Sequence, residues 1–265
     1  RAQIRRSNIV VAEPLVADEQ IAKDFVAKLA DAELGQVFIS LVQALNLAGD
    51  LGLLLRVEQL VGRQLKRGRT GDLFAPPEER IRGAITRFIN DEGHRANTRR
   101  RLFADDAAQG VGLLSVAEKK FDAILMNPPF GEPTVEGLGY IEREFPEGAN
   151  DIFAAFVIRM SQLVATRGRV GAITSRSFFV GRDLRKFRGA ILDNPSCPLE
   201  LVLDLGLGVL DAMVETAAYV LGDGSKQVVR FQNLRSTTKT AEAIGRAFGD
   251  GTWVATTVRN AGTVL

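Results

Sequence analysis

Phe121-Asp122-Ala123-Ile124-Leu125-Met126-Asn127-Pro128-Pro129-Phe130 is the stretch that decides how this chain is read. Phe121 to Met126 is an apolar run of strand length. The two prolines behind it fix two φ angles and remove two backbone N–H donors, so the carbonyls around them stay free to accept. Asn127 precedes a proline and is pushed towards an extended conformation. Its side-chain carbonyl can accept a hydrogen bond beside the carbonyl of Pro128. Phe130 supplies a flat face next to those acceptors. Such a corner suits a planar ring that presents an exocyclic amino group. Asn-Pro is also an ordinary turn signal, so the same residues read without chemistry as a rigid turn closing a buried strand.

Downstream, Gly131 to Gly148 is rich in glycine and proline and reads as a loop. Asn150 or Asp151 then offers an N-cap for a helix from Ile152 to Val164. Arg167-Gly168 reads as a turn into a strand, Arg169 to Thr174. A helix follows from Arg182 to Leu192, stopped by Asn194-Pro195. Leu199 to Leu205 and Thr216 to Leu221 are strands with no convincing helix between them, which suits an antiparallel pair at a sheet edge. Val228–Phe231 and Trp253–Val258 are further strand candidates, expected to start a following region. Strands alternating with helices make this an α/β protein with a doubly wound sheet.

Upstream the character differs. Asn8-Ile9-Val10-Val11-Ala12 is one short strand. From Asp18 to about Arg69 the period is helical: Ile21, Phe25 and Leu29, then Val37, Leu41 and Leu45, then Val57, Leu60, Val61 and Leu65. Pro76-Pro77-Glu78-Glu79 is a helix start, with Ile81, Ile85 and Ile89 on one face behind it. Residues 14–120 are therefore expected to pack as a helical subdomain, since a connection of that length is far beyond an ordinary loop. The division expected is 1–13 as a first core strand, 14–120 as a helical insertion, 121–221 as the site-bearing half of the sheet, and 222–265 as the start of a following region.

Composition narrows the chemistry. The chain has 265 residues, of which 46% are hydrophobic, enough to bury one large core or two smaller ones. Cys197 is the one cysteine and His94 the one histidine, so an internal disulfide, a thiolate metal cluster or a Ser-His triad is excluded and no metal is expected. No run of about 18 apolar residues exists, so no membrane partner is expected. Residues 56–102 hold twelve Lys and Arg against six acids, a local excess that reads either as a phosphate-contacting surface or as solvated helix faces.

With these residues in hand, Phe121 to Phe130 resembles motif IV of DNA adenine-N6 methyltransferases. Over Asn8 to Leu221 the chain is similar to the large amino-methyltransferases of type II restriction–modification and BREX (phage growth limitation) systems, with a gamma-like motif order. Gly168-Arg169-Val170-Gly171-Ala172-Ile173-Thr174 looks like the strand after their helix D, and Leu203-Asp204-Leu205-Gly206 through Tyr219 like their closing hairpin. Asn8 to Glu13 resembles their motif III strand, where an acid meets the cofactor's adenine; Glu13 is the match. The resemblance implies a partial Rossmann-like class I methyltransferase sheet with a helical insertion. It also implies S-adenosyl-L-methionine as cofactor and double-stranded DNA with a flipped adenine as partner. A cytoplasmic setting and restriction or phage-defence partner subunits or domains follow from it too. Asn127, Pro128, Pro129 and Phe130 would be its catalytic residues and Glu13 its cofactor contact.

The departure is as informative. Nothing like Asp/Asn-Pro-x-x-Gly-x-Gly, the Gly-rich motif I, occurs in the chain, nor does the ribose-binding acid of motif II. The expectation is a fragment that holds the base-binding half of a site whose cofactor half lies before residue 1. A glutamine-N5 methyltransferase acting on protein, which uses the same tetrapeptide, and a non-catalytic DNA-binding or interaction module stand as alternatives. Asp151 reads either as a helix-capping acid or as a site residue. Arg176 reads as a phosphate contact or a surface arginine, and Gly131 to Gly148 as a mobile cover for the flipped base or as simple disorder.

Overall fold

The computed structural model describes residues 10, 19–29, 32–65, 80, 83–84, 112–192, 194–210, 213–222, 229–235, 242, 244–245 and 254–256. Apart from Val10, the expected strand 8–12 lies outside these residues, as do Glu13, most of the helix behind Pro76 and most of the basic stretch. Two compact units divide between Lys119 and Lys120.

The first unit is helical where described. Helices α1 (Glu19–Lys28), α2 (Ala32–Leu45), α3 (Ala48–Leu51) and α4 (Val57–Leu65) follow the apolar period of the sequence. Phe25, Val37, Phe38, Leu41 and Leu45 are buried, with the rings of Phe25 and Phe38 4.5 Å apart. The break at Leu47 to Asp50 is a bend into α3, and a 3-10 turn, Gly52–Leu54, carries the chain towards α4. No single helix among the described residues is long and apolar enough to cross a membrane.

The second unit is built on a six-stranded sheet. Its strands are β1 (Phe121–Met126), β2 (Val164–Ser175), β3 (Leu199–Gly206), β4 (Thr216–Leu221), β5 (Val229–Asn233) and β6 (Val254–Thr256), in the order β1-β2-β4-β3-β5-β6. β1 is parallel to β2, β4 is antiparallel to both β2 and β3, and β5 is parallel to β3. Four strands, β1, β2, β3 and β5, thus run one way. This is the partial Rossmann-like α/β sheet that the resemblance implies. Helices α5 (Val135–Glu144), α6 (Ile152–Leu163) and α7 (Arg185–Leu192) accompany it.

Four expectations need correction. The antiparallel pair β3 and β4 does not close the sheet: β4 lies between β2 and β3, and β5 extends the sheet beyond β3. The strand candidates after residue 222 join that same sheet through backbone pairing: Val229–Asn233 pairs in parallel with the free edge of β3, and Val254–Thr256 pairs with β5 in turn. Arg167-Gly168 is not a turn into a strand but an irregularity within one. β1 pairs Phe121 with Val164 and then Ala123 with Arg169, and the extra residues are taken up where Arg167 adopts φ 69°. The Gly/Pro-rich stretch holds helix α5, because Thr134 accepts from the Gly137 amide at 3.1 Å and Ile141 is buried beneath it.

One face of the sheet is closed. Val170, Ala172, Val202, Ala217, Tyr219 and Leu221 are buried there in strict alternation along their strands. Phe178, from a 3-10 turn at Arg176–Phe179, packs its ring on Tyr219 at 4.8 Å and on Phe187 of α7 at 6.0 Å. Phe187 in turn meets Phe153 of α6 at 5.7 Å. On the other face Leu125 is 87% exposed, and with Gly171, Ile173, Leu201, Ala218 and Val220 it lines an open apolar hollow of about 510 Å³.

A charge network ties the strand ends on the carboxyl side of β2, β3 and β5. Asp204 is 1% exposed, and the Arg176 guanidinium meets it through Nε at 3.0 and 3.2 Å and through Nη2 at 2.9 Å. Arg176 also donates to Glu215 at 3.1 Å, and Arg235 donates to the same carboxylate. A buried carboxylate is tolerated when its oxygens are paired in this way. Arg235 first, and then Arg176, hold Glu215 below its ordinary value of 4.5. With the folded-state pKa below the unfolded one, this tie adds stability above the unfolded value and loses it as pH falls through the folded one.

Two outcomes are expected. Phe178→Ala removes the ring that joins the sheet to α7 and should cost about 3–5 kcal/mol, read from the urea midpoint. Arg235→Ala should raise the Glu215 titration towards its ordinary value, followed through the carboxyl ¹³C shift. An unmoved titration would show that Arg235 is not the main cause.

Candidate active site

Four strands pointing one way place their carboxyl ends along a single edge, and open α/β sheets bind ligands there. The loops at that edge follow Met126, Ser175, Gly206 and Asn233. The Asn-Pro-Pro-Phe tetrapeptide is the first of them. Its start is fixed by the pairing of Met126 with Ala172. Asn127 is exposed beside the apolar hollow, Pro128 is buried, Pro129 is exposed and Phe130 is half-buried.

The far end of the tetrapeptide is fixed by Gly131. It adopts φ +106°, a conformation that favours glycine. Its N–H donates to Asp151 Oδ1 at 3.1 Å, and its carbonyl accepts from the Ile152 amide at 2.9 Å. Asp151 is also the N-cap of α6, accepting from the Phe153 amide at 3.3 Å. Burial raises its carboxyl above the ordinary 3.8, against the opposing pull of backbone amides at Phe153, Gly131 and Ile152. The rings of Phe130 and Phe153 stand 6.4 Å apart at 87°, a perpendicular contact that sets the plane of Phe130.

Further along the same edge, Gly206, Leu207, Glu215, Asn233 and Arg235 surround a second hollow of about 480 Å³. Gly206 and Gly208 take positive φ values of 71° and 81° in the turn out of β3. Leu207 and Met213 on that loop are 62% and 98% exposed.

The structure therefore brings Asn127, Pro128, Pro129 and Phe130 to one loop at the carboxyl edge of the parallel strands, while Glu13 lies outside the described residues. Asp151 caps a helix, the first of its two sequence readings, and also bonds Gly131, the residue that follows the tetrapeptide. Arg176 fits neither expectation, because its guanidinium is committed to Asp204 and Glu215. Sequence reasoning missed that network and the Gly131–Asp151 bond. An acid set between leucines, as in Leu203-Asp204-Leu205, was the available signal: it must be buried and must find a cation. Cys197 is buried as well, with its thiol pushed up to about 11, first by burial and then by Glu200, and so is poorly suited to nucleophilic work.

The profile of the Eco57I restriction-modification methylase family matches residues 44–203. No curated protein matches the chain. Among solved structures, the methyltransferase subunit of a type I restriction-modification system from Streptococcus thermophilus is similar at 15% identity and a TM-score of 0.41, over 88% of this chain and 69% of that one. The DrdV–DNA complex is similar at 14% identity and a TM-score of 0.45, over 60% of this chain and 19% of that one. The DNA-bound Type ISP restriction-modification enzyme LlaBIII is similar at 12% identity and a TM-score of 0.46, over 98% and 22%. The chain thus spans about a fifth of the length of the last two. The family profile covers more than half of the sequence and takes in the whole tetrapeptide loop: this chain belongs to the Eco57I restriction-modification methylase family.

Proposed function

We propose that this chain carries the acceptor half of an S-adenosylmethionine-dependent DNA adenine-N6 methyltransferase of a restriction–modification system, working in the cytoplasm on double-stranded DNA with the target adenine flipped out. The observation that carries the reading is the tetrapeptide Asn127-Pro128-Pro129-Phe130, held at both ends on the carboxyl edge of β1. Family membership favours DNA over a protein glutamine as the acceptor.

The exocyclic amine of adenine is a poor nucleophile, because its lone pair is delocalised into the ring. Asn127 Oδ1 and the Pro128 carbonyl would accept its two N–H bonds. That favours a pyramidal nitrogen with a localised lone pair, and the gain is electrostatic and positional. Pro129 stiffens the acceptor pair. Phe130, its plane set by Phe153, would stack on the extruded base. After transfer the nitrogen sheds one proton to regain a neutral amine.

When bound, S-adenosylmethionine supplies an electrophilic methyl group. The described residues beside Asn127, among them Leu125, Met126 and Ile173, are apolar and offer no carboxylate for a ribose. They fit the acceptor rather than the donor's nucleoside. Glu13 is the proposed contact to the donor's adenine. Leu125 and Asn127 border the same hollow, so an element that covers Leu125 arrives beside Asn127. Restriction or phage-defence subunits or domains are the proposed partners.

Tritium transfer from labelled S-adenosylmethionine tests this in the full-length protein that contains the chain, with unmethylated DNA and a protein acceptor offered side by side. Label should enter DNA as N6-methyladenine. Asn127→Ala should lower kcat by about 10²–10³-fold. Wild-type transfer by that variant, or label in protein alone, would sink the proposal. Phe130→Ala should weaken DNA binding by about 10–100-fold, the range for loss of one stacked base, with Phe130→Tyr close to wild type.

A further inference from the structure

We infer that Asp151 is a positioning residue for the acceptor loop, a role separate from its capping of α6. The inference rests on the proposed function and adds a residue to its machinery. One atom, Oδ1, accepts from both the Gly131 amide and the Phe153 amide, at 3.1 and 3.3 Å. Gly131 directly follows Phe130, and Phe153 carries the ring that meets Phe130 at right angles. A single carboxylate oxygen therefore fixes the backbone behind Phe130 and the backbone of its aromatic partner.

Capping alone does not require this. A helix N-cap needs one acceptor for the amides of its first turn, and Ser, Thr, Asn and Asp all supply it. The bond to Gly131 crosses twenty positions of sequence and serves no helix. Nor does Asp151 hold the intervening segment in place by itself. Thr134 caps α5 within that segment. Gly148 packs so closely on α6 that a Cβ there would lie 2.6 Å from the Ala155 amide nitrogen. Asn150 donates to the Asp183 carbonyl. The excursion from Gly131 to Asp151 is thus anchored by other residues, and the Oδ1 bond acts on the tetrapeptide. Burial that disfavours the charged carboxyl agrees with a role that needs an acceptor oxygen rather than a charge. An amide carbonyl in the same place would serve.

The consequence is geometric. Acceptors for a transferring centre must be placed to within a fraction of an ångström, and a displacement of about 1 Å costs on the order of 10²-fold in rate. Without the Gly131 N–H bond, the far end of the loop keeps only the Gly131 carbonyl bond to the Ile152 amide and the ring contact of Phe130, which leave the turn of Gly131 less tightly set.

Three variants of the full-length protein separate the roles. Asp151→Ser keeps an N-cap hydroxyl, but its oxygen is one bond too short to serve Gly131 as well. It should melt within about 2 °C of wild type while kcat for methyl transfer to DNA falls about 10–100-fold, with KM for S-adenosylmethionine unchanged. Asp151→Asn keeps Oδ1 and should retain kcat within about threefold. Exchange of the Gly131 amide proton, followed by NMR, should quicken in the serine variant and stay slow in the asparagine variant. Wild-type kcat in a folded Asp151→Ser protein overturns the inference, as does an asparagine variant as slow as the serine one. Asn127→Ala, assayed alongside, distinguishes the two levels. If it is inactive while Asp151→Ser is fully active, the positioning role fails and the acceptor site stands. If it is active, the acceptor site fails and takes the positioning role with it.

Discussion

Two consecutive prolines cannot donate to a β-ladder, and the candidate site follows from where they fall. Only Asn127 separates Pro128 and Pro129 from Met126, the last paired residue of β1, so the ladder with β2 has no amide donor to continue past Asn127. The chain must leave the sheet at its carboxyl edge, and no strand among the described residues pairs with the turn. A single proline one residue later would let the ladder run on and draw the Asn127 backbone into it. Gly131 completes the constraint, because its positive φ turns the chain back towards α6. The loop is short, proline-stiffened and tied at both ends, which is what an acceptor site needs and what a disordered connection lacks.

The other strand ends at this edge are held by charge rather than by prolines. Asp204 is buried, which would be costly were Arg176 not bidentate to it. Arg176 follows β2, Asp204 lies in β3, Glu215 precedes β4 and Arg235 follows β5, so one network spans four strands. It gives the edge a rigid floor at the price of removing Arg176 from phosphate contact. Arg235 is partly free of this duty, since only one of its nitrogens meets Glu215 and its side chain is 44% exposed.

Local chemistry was legible in the sequence and long-range pairing was not. The helix Ile152–Leu163 and its Asp151 cap depend on neighbouring residues and were readable to within one position. So was strand Thr216–Leu221, from its apolar run alone. The insertion of β4 between β2 and β3 depends instead on which edge is open when the hairpin folds back, and no spacing within either strand states that. Gly131 to Gly148 misled because glycine and proline counts measure local preference, whereas α5 is held by the Thr134 cap and the burial of Ile141. Arg167-Gly168 misled for a related reason: Gly168 sits so near the Phe121 carbonyl that a Cβ would lie 2.8 Å from it, so this glycine marks close strand approach and not a turn. At the site, the tetrapeptide was legible because its chemistry lies in consecutive residues. The Gly131–Asp151 bond was not, because its two ends are twenty residues apart.

The two faces of the sheet give the site its direction. Parallel strands are ordinarily buried on both sides, yet here the face with Tyr219 is packed by aromatic rings while the opposite face is exposed at Leu125, near the end of β1. Side chains alternate along a strand, so Leu125 and the residue two places on share a side. That residue is Asn127, and both border the same hollow. The apolar surface that calls for cover and the acceptor that calls for a donor therefore lie side by side on one face. Covering Leu125 would also exclude water from Asn127, and exclusion of water is what makes a fixed carbonyl acceptor effective on a weak amine nucleophile. Packing and chemistry at this edge thus demand the same thing, a second layer laid over the end of β1.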